Sequence, residues 1–340
     1  MEELRVFILT EGSVSWGFGH VTRMLSLCQA FSEFGIRVRI LIRGDGSVSS
    51  LLKDVDYEIF DWLTERDRTF HRIEGAHIVV VDSYRADPDF CRSVGLLAEV
   101  PVYYEDFRRM DYPSGVVVNG NIYAERLYSS EREGILYLTG VHYTPLRREF
   151  WGVPRKEIGE EVSSVLVTFG GSDVRDLSLQ VLELLRERHP FLRKFLVVGG
   201  GFRDPERLRS LMDENTLLIR SPNAGQMKRI MLASDIAISA GGQTLYELAR
   251  VGVPAIGVVV AENQLGNVEG WSRAGFLLSA GRWDSPDLLE NIHRLILHLR
   301  DRNIRRRMSE AGRRLIDGKG SLRIAGKLLE VLNEGAFSHQ

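Results

Sequence analysis

The chain has 340 residues, 44% hydrophobic and 26% charged, which fits a folded protein of two domains and excludes the disordered and low-complexity classes. Its 44 Lys and Arg against 46 Asp and Glu leave a formal charge of −2, no global basic field for a polyanion, so nucleic acid is not an expected partner. Cys28 and Cys91 make no disulfide framework and read as small buried apolar groups in a reducing compartment.

In chain order, residues 1–5 run straight into the apolar stretch 6–9, without the basic and long apolar regions of a secretory signal. The longest apolar run, 255–261, is far short of the roughly 20 residues needed to cross a bilayer. A soluble, cytoplasmic protein with no integral membrane association is expected.

Short runs rich in Val, Ile and Leu predict strands at 5–10, 37–43, 78–82 and 100–104, separated by helical periodicity, the signature of βαβ units. The first helix follows Gly17-Phe-Gly19, carries Val21, Leu25, Cys28, Phe31 and Phe34 on one side and stops at Gly35, a natural C-terminal cap. The pattern loosens between about 106 and 154, among Pro113, Pro145 and Pro154. A second series then begins at 164–169 and continues through 195–198, 216–219, 235–239, 254–260 and 276–278. The expected architecture is α/β, two doubly wound parallel-sheet domains at 1–150 and 151–320, with a C-terminal helix and tail at 321–340. The late helix with Arg302, Arg305, Arg306, Arg307, Arg313 and Arg314 reads as a solvated charged face.

In such sheets ligands gather beyond the C-terminal strand ends, so the strand-to-helix loops matter most. The first runs from Gly12 to His20 and opens a helix whose free N–H groups and dipole favour a phosphate or a developing anion. An imidazole at that mouth, with a reference pKa of about 6.5, suits proton removal at neutral pH, although local capping is the plainer role for His20. The second is Phe169-Gly-Gly-Ser-Asp173, readable as a tight turn or as backbone meant to approach a ligand, with Ser172 adding a hydroxyl. The third is Ser239-Ala-Gly-Gly-Gln-Thr244, able to cradle a diphosphate, with Glu247 one helical turn on as a ribose acceptor or a solvated carboxylate. Asn263-Gln264 follows the strand at 254–260. Two glycine loops and an Asn-Gln pair in one sheet, with a glycine-His loop in the other, point to a nucleotide held between two Rossmann-like domains.

Other chemistries fit poorly. Thr22 stands where a dinucleotide fingerprint needs its third glycine, and Gly318-Lys319 is followed by Gly320, not the Ser or Thr of a P-loop. Asp87-Pro-Asp89 reads as a helix cap with Pro at the first position, not as a metal-binding Asp pair. No Cys/His spacing suits zinc and no Gly-x-Ser-x-Gly elbow is present, so neither metal nor cofactor is expected.

The motifs Gly17-Phe-Gly-His-Val-Thr-Arg23, Val81-Asp-Ser-Tyr84, Asp106, Asn119-Gly-Asn-Ile-Tyr123, Gly140-Val-His-Tyr143, Arg147-Arg-Glu-Phe150, Phe169-Gly-Gly-Ser-Asp173, Ser239-Ala-Gly-Gly-Gln-Thr-Leu-Tyr-Glu247 and Asn263-Gln264 resemble, in order and spacing, a known family. It is that of the UDP-2,4-diacetamido-2,4,6-trideoxy-β-L-altropyranose hydrolases of pseudaminic acid biosynthesis, within the spore-coat polysaccharide protein G group. That family is similar in turn to the N-acetylglucosaminyltransferase that completes lipid II. The resemblance implies a GT-B fold, its two domains facing a cleft, and inverting hydrolysis of a UDP-sugar C1–O bond with no metal. It implies His20 as general base, Gly241, Gly242 and Thr244 by the diphosphate, Glu247 by the ribose, and Asn263 and Gln264 by the sugar-phosphate. Gly17, Gly19, Arg23, Asp82, Tyr84, Asn121, Tyr143, Gly170, Gly171, Ser172, Asp173, Ser239 and Gln243 are the further implied substrate contacts. Gln243, Tyr246 and Ser83 depart from the family's usual residues, which bears on the sugar more than on the fold. A glycosyltransferase using a hydroxyl acceptor is the alternative, and a non-enzymatic nucleotide-sugar binding protein the second.

Overall fold

The computed structural model describes every residue except 1–3, 15, 54, 129–131, 172, 203–204 and 338–340. The chain forms two units, Met1–Arg148 with Gly318–Gln340, and Glu149–Asp317. The last helix thus belongs with the first unit, an assignment the sequence pattern does not give for the C-terminal helix and tail at 321–340.

The first unit contains β1 (Val6–Gly12), α1 (Gly19–Glu33), β2 (Val38–Gly44), β3 (Asp56–Ile59), α2 (Arg66–Ile73), β4 (Ala76–Asp82), α3 (Pro88–Leu97), β5 (Ala98–Tyr104), β6 (Gly115–Asn119) and β7 (Ile135–Thr139). They make a parallel sheet in the order β3-β2-β1-β4-β5-β6-β7. β6 and β7 lie where the sequence pattern loosened. β6 is buried throughout as Gly-Val-Val-Val-Asn, but among the described residues no helix separates it from β5 to mark it as part of the strand–helix alternation. β3 is a partly exposed edge strand, also without a clear pattern. Gly35 takes φ +72°, and its N–H bonds the Ser32 carbonyl as α1 ends. Asp87 caps α3 by accepting from the Phe90 N–H at 2.7 Å, with Pro88 at the first position.

The second unit contains β8 (Ser164–Thr168), α4 (Leu177–Arg188), β9 (Arg193–Val198), α5 (Pro205–Leu211), β10 (Thr216–Arg220), α6 (Ala224–Ala233), β11 (Ile236–Ala240), α7 (Thr244–Val251), β12 (Ala255–Val259), α8 (Leu265–Arg273), β13 (Leu277–Arg282), α9 (Leu288–His298) and α10 (Arg302–Leu315). Its parallel sheet runs β10-β9-β8-β11-β12-β13. β8, β11 and β12 are buried end to end, as expected of a sheet covered on both faces. The remaining helix, α11 (Gly320–Glu334), packs on α1 of the first unit, and the approach is close enough that a Cβ on Gly320 would meet the Thr144 carbonyl oxygen at 2.0 Å.

Both sheets reverse direction of growth at one pair, β1/β4 in the first and β8/β11 in the second. These are the points where a doubly wound sheet opens a crevice at its strand ends. In the arginine run of α10, Arg302, Arg306, Arg307 and Arg314 are exposed, as expected of a solvated face, but Arg305 and Arg313 depart from it. Arg305 is fully buried and donates to the Leu299 and Glu160 carbonyls, while Arg302 and Arg313 donate to those of Ile158 and Pro154. The stretch before β8 belongs to no sheet, and these guanidiniums satisfy carbonyls that a strand partner would otherwise take. Among the described residues no helix is long and apolar enough to cross a membrane. Cys28 and Cys91 are buried, and burial pushes both thiols up to about 12, which keeps them unreactive.

Candidate active site

In the first unit the loop after β1 turns back on itself. Gly17 sits at φ +84°, and its N–H and carbonyl pair with those of Ser13, so the chain enters α1 at once. α1 starts at Gly19 with no side-chain cap, leaving its first N–H groups open beside His20. His20 Nδ1 lies 2.7 Å from Asp82 Oδ1 at the end of β4. A carboxylate at that distance favours the tautomer with the ring proton on Nδ1, although Arg23 Nη2 also lies 3.1 Å from this nitrogen.

Arg23, one turn along α1, ties the cluster together. Its Nε donates to Asp82 Oδ2 at 2.8 Å, its Nη2 to Asp82 Oδ1, and its Nη1 to both oxygens of Asp106 at 2.8 and 3.0 Å. The Tyr84 hydroxyl also donates to Asp106, as does Asn121 Nδ2 at 2.8 Å, and the Tyr84 ring meets His20 edge-on at 4.5 Å. Asp82 has no solvent exposure. Burial opposes its charge, but Arg23 and His20 outweigh that and hold its carboxyl far below the usual range. Burial likewise opposes the Arg23 charge, and Asp106 with Asp82 more than restores it. Burial and the neighbouring Asp106 push the Tyr84 phenol up, so it stays a donor.

Asp106 entered the sequence reading only through the family resemblance, yet it is the hub joining Arg23, Tyr84 and Asn121. Trp16 was missed altogether. It is 44% exposed on the loop before His20, with the Arg43 and Arg85 guanidiniums 4.9 and 4.5 Å from its ring. Tyr143 joins this cluster by no hydrogen bond or ring contact among the described residues; it lies in the turn Val141–Tyr143 against α11.

In the second unit the loop after β11 separates two glycines of different use. A Cβ on Gly241 would meet Val268 Cγ2 at 2.7 Å and Gln264 Cβ at 2.9 Å, and its N–H is already bonded to Val258 O and Gln264 Oε1. A Cβ on Gly242 would meet only Gln264 Nε2, at 4.0 Å. Gly242 therefore borders open space beside the start of α7, with Thr244 as the first helical residue. Gln264 Oε1 bridges the N–H groups of Gly241 and Val260, leaving Nε2 on the Gly242 side. Asn267, which the sequence reading did not single out, donates to the Gly241 carbonyl and accepts from the Tyr246 hydroxyl at 2.6 Å. Glu247 is 5% exposed, so it is not a solvated carboxylate. Asn263 is exposed on the turn Glu262–Gln264, and Gln243 precedes Thr244 at the mouth of the helix. The Ser239 hydroxyl is buried and donates to the Ala240 carbonyl.

The loop after β8 holds Gly170 at φ +86° with nothing near its Cβ position, whereas the Gly171 carbonyl accepts from the Gly201 N–H at 3.0 Å. Gly199 lies so close to Gly171 that any side chain there would clash. Ser172 falls outside the described residues. Asp173 is buried and accepts from the Leu177 and Ser178 N–H groups, so its carboxylate satisfies the first turn of α4 from three residues before the N-cap position, Asp176. Among the described residues no group of His, Cys, Asp and Glu is arranged to hold a metal ion.

Residues 164–279 match the model of the glycosyltransferase family 28 C-terminal domain. The chain is 26% identical over 276 residues to an uncharacterized protein of Methanocaldococcus jannaschii, covering 77% of this chain but only 56% of that one. It is 22% identical over 343 residues to the spore coat polysaccharide biosynthesis protein SpsG of Bacillus subtilis, covering 97% and 99% of the two chains. It is 23% identical over 256 residues to the UDP-2,4-diacetamido-2,4,6-trideoxy-β-L-altropyranose hydrolase of Campylobacter jejuni, covering 68% and 90%. The solved structure of MurG from Acinetobacter baumannii superposes with a TM-score of 0.67 at 15% identity, over 96% of this chain and 99% of that one. The two doubly wound parallel-sheet units, each with its switch point, are the GT-B fold.

Proposed function

We propose that the chain is a GT-B enzyme that breaks the C1–O bond of a UDP-linked sugar, with His20 as general base and a hydroxyl acceptor as nucleophile. The observation that carries this reading is the His20–Asp82 pair locked by Arg23 at the β1/β4 switch point, since a buried carboxylate on Nδ1 makes Nε2 the proton acceptor. The match of 164–279 to a glycosyltransferase domain supports a transfer reaction.

In the proposed step His20 Nε2 takes the acceptor's proton as its oxygen attacks C1 from the face opposite the leaving group. The C1–O bond breaks with its electron pair on the diphosphate, and configuration inverts. The open N–H groups at Gly242 and Thr244, with the α7 dipole, stabilise the departing charge, while Glu247 receives the ribose. The 23% identity to the Campylobacter jejuni hydrolase favours a second reading in which water replaces the acceptor, releasing a diacetamido-trideoxy hexose.

The test incubates the purified protein with UDP-diacetamido-trideoxy-altrose and with UDP-N-acetylglucosamine, EDTA present, and follows UDP and sugar by NMR with and without hydroxyl acceptors. Turnover only with an acceptor establishes transfer, and free sugar without one establishes hydrolysis. UDP binding with no cleavage under any condition would overturn both in favour of a binding protein, and turnover that requires added metal would overturn the proposed leaving-group stabilisation.

A further inference from the structure

The far end of α7 carries a different kind of site. α7 ends at Val251 with Gly252 at φ +85°, and there α10 crosses it so closely that a Cβ on Gly252 would meet Ser309 Oγ at 2.5 Å. Beside this crossing a cavity of about 300 Å³ is lined by Arg155, Lys156, Arg306, Arg313 and Arg314, with Glu310 its single carboxylate. Two of these cations are committed to the fold: Arg313 donates to the Pro154 and Val251 carbonyls, and Lys156 to that of Leu232.

Arg155, Arg306 and Arg314 are exposed and, among the described residues, have no carboxylate or carbonyl partner. Glu310 stands four positions from both Arg306 and Arg314, the spacing at which helical ion pairs form, yet it pairs with neither. Elsewhere the exposed arginines of this chain commonly hold carboxylates, as Arg188 does with Glu290 and Arg273 with Glu269. A concave cluster of guanidiniums set against a single carboxylate is costly alone and matches the oxygens of a phosphate in forked geometry. The eight residues of α7 put about 12 Å of helix between this cavity and the Gly242–Thr244 end, so the two cannot be one site.

We propose that this cavity is a second anion site, which takes a ligand presenting a diphosphate or phosphodiester group through Arg155, Arg306 and Arg314. The ligand chemistry is shared by a soluble phosphate compound and by an anionic lipid headgroup.

The test titrates inorganic pyrophosphate into the full chain saturated with UDP, and separately measures co-flotation with phosphatidylcholine vesicles with and without phosphatidylglycerol. Wild type is compared with the double variant Arg306→Gln/Arg314→Gln and with Arg307→Gln, an exposed arginine of the same helix outside the cavity. The double variant is expected to bind pyrophosphate about tenfold or more weakly, or to lose phosphatidylglycerol-dependent flotation, while Arg307→Gln behaves as wild type. Pyrophosphate binding alone identifies a soluble ligand, and flotation identifies a headgroup. Absence of both in wild type, or equal effects in the double variant and Arg307→Gln, would overturn the proposal.

Discussion

The two switch points are built from different materials. At β1/β4 the groups that meet are charged side chains, with Asp82 and Arg23 largely out of water and every carboxylate oxygen of Asp82 and Asp106 engaged. At β8/β11 they are glycines and amides, with Gln264 and Asn267 pinning the backbone around Gly241 and leaving Gly242 open. A buried ionic network fixes the direction of a side chain, as the proposed proton transfer at His20 requires. A stapled glycine loop fixes backbone dipoles toward a group that only has to be held. Under the proposed function, this contrast puts the chemistry in the first unit and the holding of the nucleotide in the second.

The sharpest way to break that division is to remove the base. His20→Ala is expected to lower turnover by about 10²–10⁴-fold with UDP affinity unchanged, measured by NMR turnover and calorimetry. Near wild-type turnover would remove His20 from the mechanism. Asp82→Asn comes next: an isosteric change that takes the carboxylate from Nδ1 should cost about 10²-fold or more in kcat and alter the pH–rate profile, again without weakening UDP. A loss confined to KM would instead put Asp82 in substrate binding.

How far each switch point was legible follows from what it is made of. His20 and the glycine loops were readable because a strand followed by glycines and a helix start is a local pattern. Asp106 was not, since its role depends on Arg23 lying 83 positions away in sequence and close in the fold. The same is true of Asn267 beneath Gly241, and of Arg305, whose local pattern reads as a surface charge and one of whose partners, the Glu160 carbonyl before β8, is set by tertiary packing. β6 and β7 escaped because, among the described residues, no helix separates β5 from β6 and only the short turn Ala124–Arg126 lies between β6 and β7, so the strand–helix alternation that marks the other strands is missing there. Asp173 shows a partner the loop pattern does not reveal, since its carboxylate accepts from the first N–H groups of α4.

A pair of neighbouring substitutions sharpens the second unit's side of the comparison. Gly241→Ala puts a methyl against Val268 and Gln264 and is expected to cost about 1–3 kcal/mol of stability, seen as a lower Tm. Gly242→Ala meets no backbone or core atom, so Tm should hold while UDP affinity falls several-fold by calorimetry. Equal UDP affinity in Gly242→Ala and wild type would remove that loop from the nucleotide site.

The smallest effect separates the units by pH. Burial lowers His189 to about 4, helped by His293, whose Nδ1 lies 3.0 Å from His189 Nε2, and by Arg300, Arg188 and Lys194. The unfolded chain binds this proton near pH 6.5 and the folded chain resists it until about 4, so folding stability from His189 is intact above 6.5 and drains away between 6.5 and 4. Asp82 and Asp106 are shifted the other way relative to their charge: both are held low, and their contribution is lost only as pH falls below the ordinary carboxylate range near 4. Acidification should therefore draw on His189 in the second unit before it reaches the ionic network of the first. In Tm against pH, His189→Gln is expected to flatten the slope between 6.5 and 4 and leave the steeper loss below 4 in place. An unchanged upper slope would show that His189 is not the group that titrates there.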